Sequence, residues 1–275
     1  MRLNEQQLRF FHTFGFIAFP GLLKDRIDAV INEFEVIWAK NGGGHNGKPH
    51  DGKARSCMGF IYQTEYMATL LDDPRLVGIA SSLLGDDYNV TGGDGNYYVG
   101  DTGWHSDGWS SDLKNIKIAF YLDPLTKNNG CLRVIPGSHK TGDSFAQELQ
   151  RDLGGSQEKY GMSGRDIPAM ALETTPGDIL VFNHNTKHAA FGGGNKRRMF
   201  TMNCGERYPE HRIGELRKGL EGAARFWVTE AYHSACFKNA SPERLKHLQQ
   251  IRDNFDHVPE LARKAMAEMA EPARG

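Results

Sequence analysis

Residues 104–109 read Trp-His-Ser-Asp-Gly-Trp, and the interpretation of the chain starts from this stretch. Successive side chains of a β-strand point to opposite faces, so His105 and Asp107 are expected to project to the same side. An imidazole and a carboxylate placed in this way can share one metal ion. The pair alone is a weak signal in a chain with 11 histidines, and a polar surface turn is the alternative.

A second imidazole would complete such a site. His188 is the best candidate, and His184 is the alternative. Two histidines and one carboxylate form the facial triad that suits non-haem Fe(II) and leaves coordination positions open. The same three ligands also suit Zn²⁺ with an open position, so the set does not by itself decide the metal.

The sequence from Tyr88 onward predicts short strands, because Gly-rich turns separate runs of Thr, Tyr, Asn and Val. Short strands at close spacing are typical of an antiparallel sandwich or jelly roll. One predicted strand has an apolar face of Ile116, Ile118, Phe120 and Leu122 and a mixed face of Lys117, Ala119 and Tyr121. The mixed face is typical of a cavity lining. Lys117 is then either a solvated edge charge or an anion ligand inside the barrel.

The segments that flank these strands have helical patterns. Apolar spacing and capping residues predict helices in the following segments: 4–11 ended by Gly15, 24–39, 74–84 after Pro74, 145–152, 215–220, 223–237, and a helix from Pro242. A charged tail is expected after Pro259. The segment 41–52 has no periodicity and is predicted to be a loop.

Composition limits the possible partners. With 33 Lys and Arg against 34 Asp and Glu, the net charge of −1 provides no electrostatic surface for nucleic acid or an anionic membrane. The start of the chain lacks the apolar run of a signal peptide, and no stretch reaches the roughly 20 apolar residues of a membrane helix. We therefore expect a cytoplasmic protein without nucleic-acid or membrane partners. Four scattered cysteines predict reduced thiols.

Several ordered motifs between residue 3 and about residue 205 resemble one known family. They are Leu-Asn-Glu-Gln-Gln at 3–7, Phe-Pro-Gly at 19–21, Leu-Leu-Gly at 83–85, Trp-His-Ser-Asp at 104–107, Gly-Cys-Leu-Arg-Val-Ile-Pro-Gly-Ser-His at 130–139, Pro-Gly-Asp at 176–178, and the segment 188–198. On these motifs the chain resembles the phytanoyl-CoA dioxygenase-like family of Fe(II)- and 2-oxoglutarate-dependent oxygenases. The segment after about residue 205 has no counterpart in the resemblance.

The resemblance implies a mainly β fold with flanking helices, a double-stranded β-helix of the jelly-roll, cupin-like kind. It implies that His105, Asp107 and His188 bind Fe(II), because the distal motif of the family begins at His188 and not at His184. It also implies an arginine that binds the far carboxylate of 2-oxoglutarate, for which Arg197 and Arg198 both qualify. We favour Arg197, because it shares the more polar strand face.

Two further residues are expected to bind the co-substrate, Lys117 and Tyr98. The activity implied by the resemblance is hydroxylation of an unactivated C–H bond, with 2-oxoglutarate and O2 as co-substrates and succinate and CO2 as products. In the related halogenases a small residue replaces the carboxylate, so Asp107 indicates hydroxylation instead. The expected substrate is a small polar or anionic metabolite or natural-product intermediate.

One domain is expected, with a helical buttress at about 1–86, a barrel core at about 87–205 and a helical extension at about 206–275. The protein is expected to be a monomer or a homodimer. A zinc-dependent hydrolase and a non-catalytic metal-binding sensor with the same barrel are the competing interpretations. The chain has no His-Glu-x-x-His motif, and a hydrolase needs no buried arginine for a co-substrate.

Overall fold

A computed structural model describes residues 1–41, 51, 56–194 and 197–274. The chain divides into two compact units. The unit of Leu3–Ile27 and Tyr97–Met199 is called the β unit here, and the unit of Met1–Arg2, Asp28–Asn96 and Phe200–Gly275 is called the helical unit. The single domain expected from the sequence stays a prediction.

The β unit contains strands of two antiparallel sheets. In the first sheet, β1 (Phe16–Phe19) pairs with β9 (Ile179–Asn183), β9 pairs with β6 (Asn115–Tyr121), and β11 (Arg197–Glu206) follows β6. The second sheet has the order β5 (Thr102–His105), β10 (His188–Ala190), β7 (Leu132–Val134) and β8 (Met170–Leu172). This arrangement confirms the predicted jelly-roll class.

The core of the β unit lies between the inner faces of these strands. Ala119 and Tyr121 of β6 belong to it, and they pack with Leu132 and Val134 of β7 and with Phe182 of β9. The alternation in β6 therefore predicted correctly which face lines the interior. The opposite face of β6 is also buried, since Ile116, Ile118 and Phe120 are 1%, 0% and 3% exposed.

Helix α1 (Glu5–Phe14) opens the β unit and has the predicted capping box. The Asn4 side chain accepts a hydrogen bond from the Gln7 N–H, and the Gln7 side chain accepts one from the Asn4 N–H. Gly15 ends the helix in the left-handed conformation, at φ 84°. A β carbon at Gly15 would lie 2.5 Å from His139 Nδ1 and 2.8 Å from Thr186 Oγ1, so this position also requires the smallest residue.

The excursion between β7 and β8 covers the outer face of the second sheet. It contains α5 (Ser144–Asp152) and α6 (Ser156–Tyr160). Leu149 of α5 packs in a buried cluster with Trp104, Ala189 and Phe191. Helix α5 was predicted at 145–152, so its position is confirmed to within one residue.

The helical unit holds the remaining elements. Its helices are α2 (Ile27–Lys40), α3 (Glu65–Ala68), α4 (Pro74–Leu84), α7 (Ile213–Leu220), α8 (Pro242–Asp253) and α9 (Val258–Glu268), and its short strands are β2 (Cys57–Met58), β3 (Tyr88–Gly92) and the start of β4 (Asp94–Tyr98). Helix α4 has the predicted bounds, with Asp73 as its N-cap and proline in its first turn. Most of the predicted loop at 41–52 lies outside the described residues.

Two predictions for the end of the chain are wrong. The helix predicted at 223–237 is replaced by two 3-10 segments, Glu221–Phe226 and Ser234–Cys236, because Trp227 adopts a left-handed conformation at φ 61° that no α-helix continues. The charged tail expected after Pro259 is helix α9. Proline in the first turn of a helix loses no hydrogen bond, so Pro259 helps to start α9.

All four cysteines are free thiols, as predicted, and Cys131, Cys204 and Cys236 are buried. Within the described ranges, no helix is both long and apolar enough to cross a membrane.

Candidate active site

The register of the second sheet brings the predicted metal ligands together. His105 is the last residue of β5, His188 is the first residue of β10, and the two are directly paired across the antiparallel ladder. Their ring centroids are 4.2 Å apart. Asp107 follows β5 by two residues and turns its carboxylate towards both rings.

The three side chains present a compact set of donor atoms. Asp107 Oδ1 lies 4.0 Å from His105 Nε2, and Asp107 Oδ2 lies 3.6 Å from His188 Nε2. One ligand atom from each residue can be chosen so that all lie within 4.8 Å of one another. Two imidazole nitrogens and one carboxylate oxygen are the ligands of a non-haem Fe(II) site.

Backbone carbonyls fix the orientation of both imidazoles. His105 Nδ1 is 2.8 Å from Gly103 O, and His188 Nδ1 is 2.9 Å from Thr186 O. A carbonyl oxygen can only accept, so each Nδ1 carries a proton, and in the neutral ring Nε2 offers its lone pair to the space beside Asp107. This tautomer is the one a metal site requires.

The electrostatic surroundings keep His188 and Asp107 in the protonation states that a metal site requires. Burial lowers the pKa of His188 to about 3, although the Asp107 charge acts to raise it. Burial acts to raise the pKa of Asp107, but Lys117, His188 and His184 together lower it below its usual range. At neutral pH, His188 is therefore neutral and Asp107 is ionised.

Lys117 lies inside the cavity and not at a solvated edge. Its ammonium nitrogen is 2.9 Å from Asp107 Oδ2 and 5.9 Å from the centroid of the Phe182 ring. The Lys117 side chain is only 16% exposed. Of the two roles left open by the sequence, the solvated edge charge is therefore wrong.

The adjacent arginines have different surroundings. Arg197 is 5% exposed, faces the Tyr98 ring at 5.1 Å and donates a hydrogen bond from Nη1 to Gly130 O. Its Nε has no hydrogen-bond partner among the described residues. Arg198 points to the other face of β11, where it pairs with Asp123 at 2.6 Å. The polar-face argument therefore selected the arginine that lines the cavity.

These groups surround an open cavity of about 490 Å³ in the β unit. It is lined by Tyr98, Thr102, His105, Asp107, Lys117, Ala119, Tyr121, Leu132, Phe182, His188, Ala189, Ala190, Arg197 and Met199. The backbones of Lys117 and Arg197 lie apart along the strands. The Leu122 N–H bonds to Arg198 O, and Leu122 is five residues from Lys117, which is roughly 16 Å along an extended strand.

Other residues named from the sequence do not line this cavity. Trp104 is buried and donates its indole N–H to Gly164 O at 2.7 Å. His184 does not belong to the metal-ligand cluster found among the described residues.

Sequence reasoning missed the side chains that fasten the metal-site loop. Asn185 Nδ2 donates to Ser110 O at 2.7 Å, and the Ser110 N–H donates to Asn185 Oδ1 at 3.0 Å. Lys187 contacts Ser106 from the side opposite the cavity. Asn185 and Lys187 lie in the segment that delivers His188, but nothing in their spacing identifies partners about 80 residues away.

Comparison with known proteins decides the family. The sequence profile described as Phytanoyl-CoA dioxygenase (PhyH) matches residues 11–199, which include every cavity residue named above. The chain belongs to the phytanoyl-CoA dioxygenase family. The resemblance seen in the sequence motifs is thereby confirmed.

Within the phytanoyl-CoA dioxygenase family, the chain is similar to the ectoine dioxygenase of Sphingopyxis alaskensis. The two are 29% identical over 167 residues, which are 53% of this chain and 55% of that enzyme. The chain thus spans about half the length of this relative.

Two solved structures share the fold. EctD from S. alaskensis with 2-oxoglutarate and 5-hydroxyectoine matches with a TM-score of 0.58 and 22% identity, over 74% of this chain and 76% of that one. The non-heme alpha ketoglutarate dependent carbocyclase SnoK from nogalamycin biosynthesis matches with a TM-score of 0.59 and 21% identity, over 74% and 84%. Both similarities confirm the jelly-roll fold.

Proposed function

We propose that this protein is an Fe(II)- and 2-oxoglutarate-dependent dioxygenase that hydroxylates an unactivated C–H bond of a small polar or anionic molecule and releases succinate and CO2. The observation that carries the proposal is the combination of a two-histidine, one-carboxylate cluster and a buried arginine in one cavity. The metal ligands alone would equally suit a hydrolase. The arginine also provides a site for the far carboxylate of 2-oxoglutarate, which a hydrolase does not need.

His105, Asp107 and His188 would hold the iron, and the donor set and protonation states described above fit it. When bound, Fe(II) supplies the activation of O2 and the oxidising power for the C–H bond. The chain contributes the orientation of the ligands and the exclusion of water. His188 is 5% exposed, while the His105 side chain is 42% exposed and lies at the open side of the cavity.

Arg197 would bind the far carboxylate of 2-oxoglutarate. Its guanidinium is held by the Gly130 carbonyl and the Tyr98 ring, so it is positioned before the ligand arrives. Because Nε is buried without a partner among the described residues, a carboxylate would satisfy a donor that otherwise costs free energy. Tyr98 thus supports the co-substrate site through Arg197.

Lys117 would hold an anionic group at the metal end of the cavity. Its ammonium touches Asp107, whereas the Arg197 guanidinium contacts Gly130 O and the Tyr98 ring. Once a cation takes part of the charge of Asp107, the ammonium is left to attract another anion. A carboxylate on the primary substrate satisfies this requirement, as does the metal-proximal end of 2-oxoglutarate.

The similar proteins support this choice of substrate class. One relative is an ectoine dioxygenase, and one solved neighbour was determined with 5-hydroxyectoine. Another neighbour is named a carbocyclase. Succinate release alone therefore does not identify the reaction, and the oxidised product must be identified chemically. The protein would then act on a small molecule.

We also propose that the protein is located in the cytoplasm and that it is a monomer or a homodimer.

The test is succinate release from 2-oxoglutarate by the purified full chain, with Fe(II) or Zn(II), in air and without O2. Candidate substrates are offered as pairs of a carboxylic acid and its carboxamide. We expect succinate release to require Fe(II) and O2. Within a pair, the carboxylic acid should stimulate this release more than its carboxamide does. Lys117→Met should abolish the preference for the acid, whereas the exposed Lys114→Met should retain it.

A different pattern would support the alternatives. Hydrolysis of an ester or amide that requires Zn(II), without succinate release under any condition, would support a zinc-dependent hydrolase. Metal binding without turnover of either kind would support a sensor.

A further inference from the structure

Lys187 is a buried lysine directly before the metal ligand His188. It is 4% exposed, and no carboxylate among the described residues lies within ion-pair distance. Its ammonium donates to Ser106 Oγ at 3.1 Å and to Gln150 Oε1, and it lies 6.0 Å from the centroid of the Trp109 ring. A buried ammonium opposes folding unless hydrogen bonds compensate, so a lysine is a poor residue for merely filling this space.

The contact with Ser106 acts on two metal ligands at once. Ser106 lies between His105 and Asp107, which line the cavity, and its own side chain bonds to Gln150 of α5. The Ser106 hydroxyl donates to Gln150 Oε1 at 3.0 Å. Lys187, Ser106 and Gln150 therefore form a closed triangle that joins the residue before β10, the loop after β5, and helix α5.

The other end of the same loop is fastened by the same segment of chain. The Gly108 N–H donates to His184 O at 3.2 Å. The Asn185 amide, which is 7% exposed, bonds to the backbone N–H and C=O of Ser110 and also donates to His139 O at 3.4 Å. The loop that carries Asp107 is thus held on both sides, and Lys187 bonds both to Ser106 of this loop and to Gln150 of α5.

We propose that Lys187, acting through Ser106 and Gln150, is a positioning residue that holds Asp107 in ligating geometry and couples the metal site to helix α5. Without this anchor, the loop would populate conformations in which the carboxylate does not face both imidazoles. The apparent metal affinity equals the intrinsic affinity multiplied by the fraction of molecules in the competent conformation, so it falls as that fraction falls. This inference rests on the proposed metal centre.

The test is anaerobic titration of the metal-free full chain with Co(II), followed by the visible absorption of the bound ion. Lys187→Met and Gln150→Leu should weaken Co(II) binding roughly tenfold, which is the usual effect of removing a partner that orients a metal ligand. Gln150→Glu keeps an acceptor for both Ser106 and Lys187 and should bind as the wild type does. Gln147→Ala is the matched control, because Gln147 is also exposed on α5 and its side chain donates to Thr141 O at 2.9 Å, away from Ser106 and Lys187.

Thermal unfolding of the metal-free variants separates positioning from a structural role. Lys187→Met removes a buried ammonium, so its unfolding temperature should equal or exceed that of the wild type while its Co(II) affinity falls. Gln150 is exposed, and its replacement provides the same comparison with little effect on folding.

Two results would overturn the inference alone. One is wild-type Co(II) affinity in both Lys187→Met and Gln150→Leu. The other is a loss of affinity that parallels a loss of thermal stability in both variants. If the wild-type chain binds no Co(II), the proposed metal centre itself is wrong, and the inference is wrong with it.

Discussion

Arg197 and Arg198 are neighbours in the sequence, yet β11 sends their side chains to opposite faces. Arg197 enters the cavity, and Arg198 pairs with the partly buried Asp123. The sequence allowed this choice because side chains alternate between the two faces of a strand, and the more polar face of β11 was expected to line the cavity. The partner of each arginine could not be predicted, since Gly130 and Asp123 lie some 70 residues away.

The arginine pair provides a controlled prediction. Arg197→Met should weaken 2-oxoglutarate binding to the Fe(II)-loaded protein at least ~10-fold, because a charge-assisted hydrogen bond contributes about 1.5–3 kcal/mol. Arg198→Met should leave that affinity unchanged and lower the free energy of unfolding by about 1 kcal/mol or less, since its ion pair is partly exposed. Anaerobic calorimetric titration and urea unfolding measure the two effects. A larger loss of affinity in Arg198→Met would contradict the assignment.

At the scale of elements, the turn before β7 shapes the arginine site. Gly130 adopts φ 97°, and a β carbon there would lie 2.1 Å from Arg197 Nη1 and 2.9 Å from Gly193 Cα. The glycine is therefore required both for the backbone conformation and for the space that the guanidinium occupies.

Gly130→Ala and Gly161→Ala separate these two requirements. Gly161 also has a positive φ, of 65°, but has open space around its α carbon. Both substitutions should cost about 1 kcal/mol of stability through backbone strain. Only Gly130→Ala should weaken 2-oxoglutarate binding, because the methyl group displaces Arg197. Equal affinities of the two variants for 2-oxoglutarate, measured by the same titration, would contradict this prediction.

Local signals predicted the elements that have them. The capping box of α1, the proline at the start of α4 and the alternation in β6 each fix an element without help from the rest of the chain. The segment 223–237 has helical spacing but forms two 3-10 segments that end and begin on either side of the left-handed Trp227, and between them Tyr232 donates its hydroxyl to Val90 O at 2.6 Å. A hydrogen bond across 142 residues leaves no trace in a local pattern.

At the scale of the whole molecule, the C-terminal extension completes the helical unit. Gln250 of α8 accepts a hydrogen bond from buried Asn89 of β3 at 2.7 Å, and His247 of α8 stacks on Tyr88 with ring centroids 3.7 Å apart. The sequence predicted α8 but not its role, because its contacts lie about 160 residues away. Truncation before α8 would leave polar groups of β3 buried without partners.

Buried histidines make the stability of both units depend on pH. Burial lowers the pKa of His139 in the β unit and of His247 in the helical unit. Their pKa in the unfolded chain is about 6.5, so the unfolded state binds more protons below that pH. The stability that these histidines contribute is complete above pH 6.5 and is lost as the pH falls through the lowered pKa values.

We therefore expect the urea midpoint to fall between pH 7 and pH 5, above the pH range in which most carboxylates become protonated. His139→Gln should reduce the change, because glutamine does not titrate. A midpoint that stays constant or rises over this range would contradict the burial of these imidazoles.

His105, Asp107 and His188 are proposed to bind iron in the cavity that also binds 2-oxoglutarate. The direct measurement is anaerobic titration of the metal-free protein with Fe(II) and 2-oxoglutarate, in which the chelate gives a weak visible charge-transfer band. The band should form in the wild type and in His184→Ala and be lost in His105→Ala and His188→Ala. Absence of the band in the wild type, or its loss in His184→Ala with retention in His188→Ala, would contradict the account.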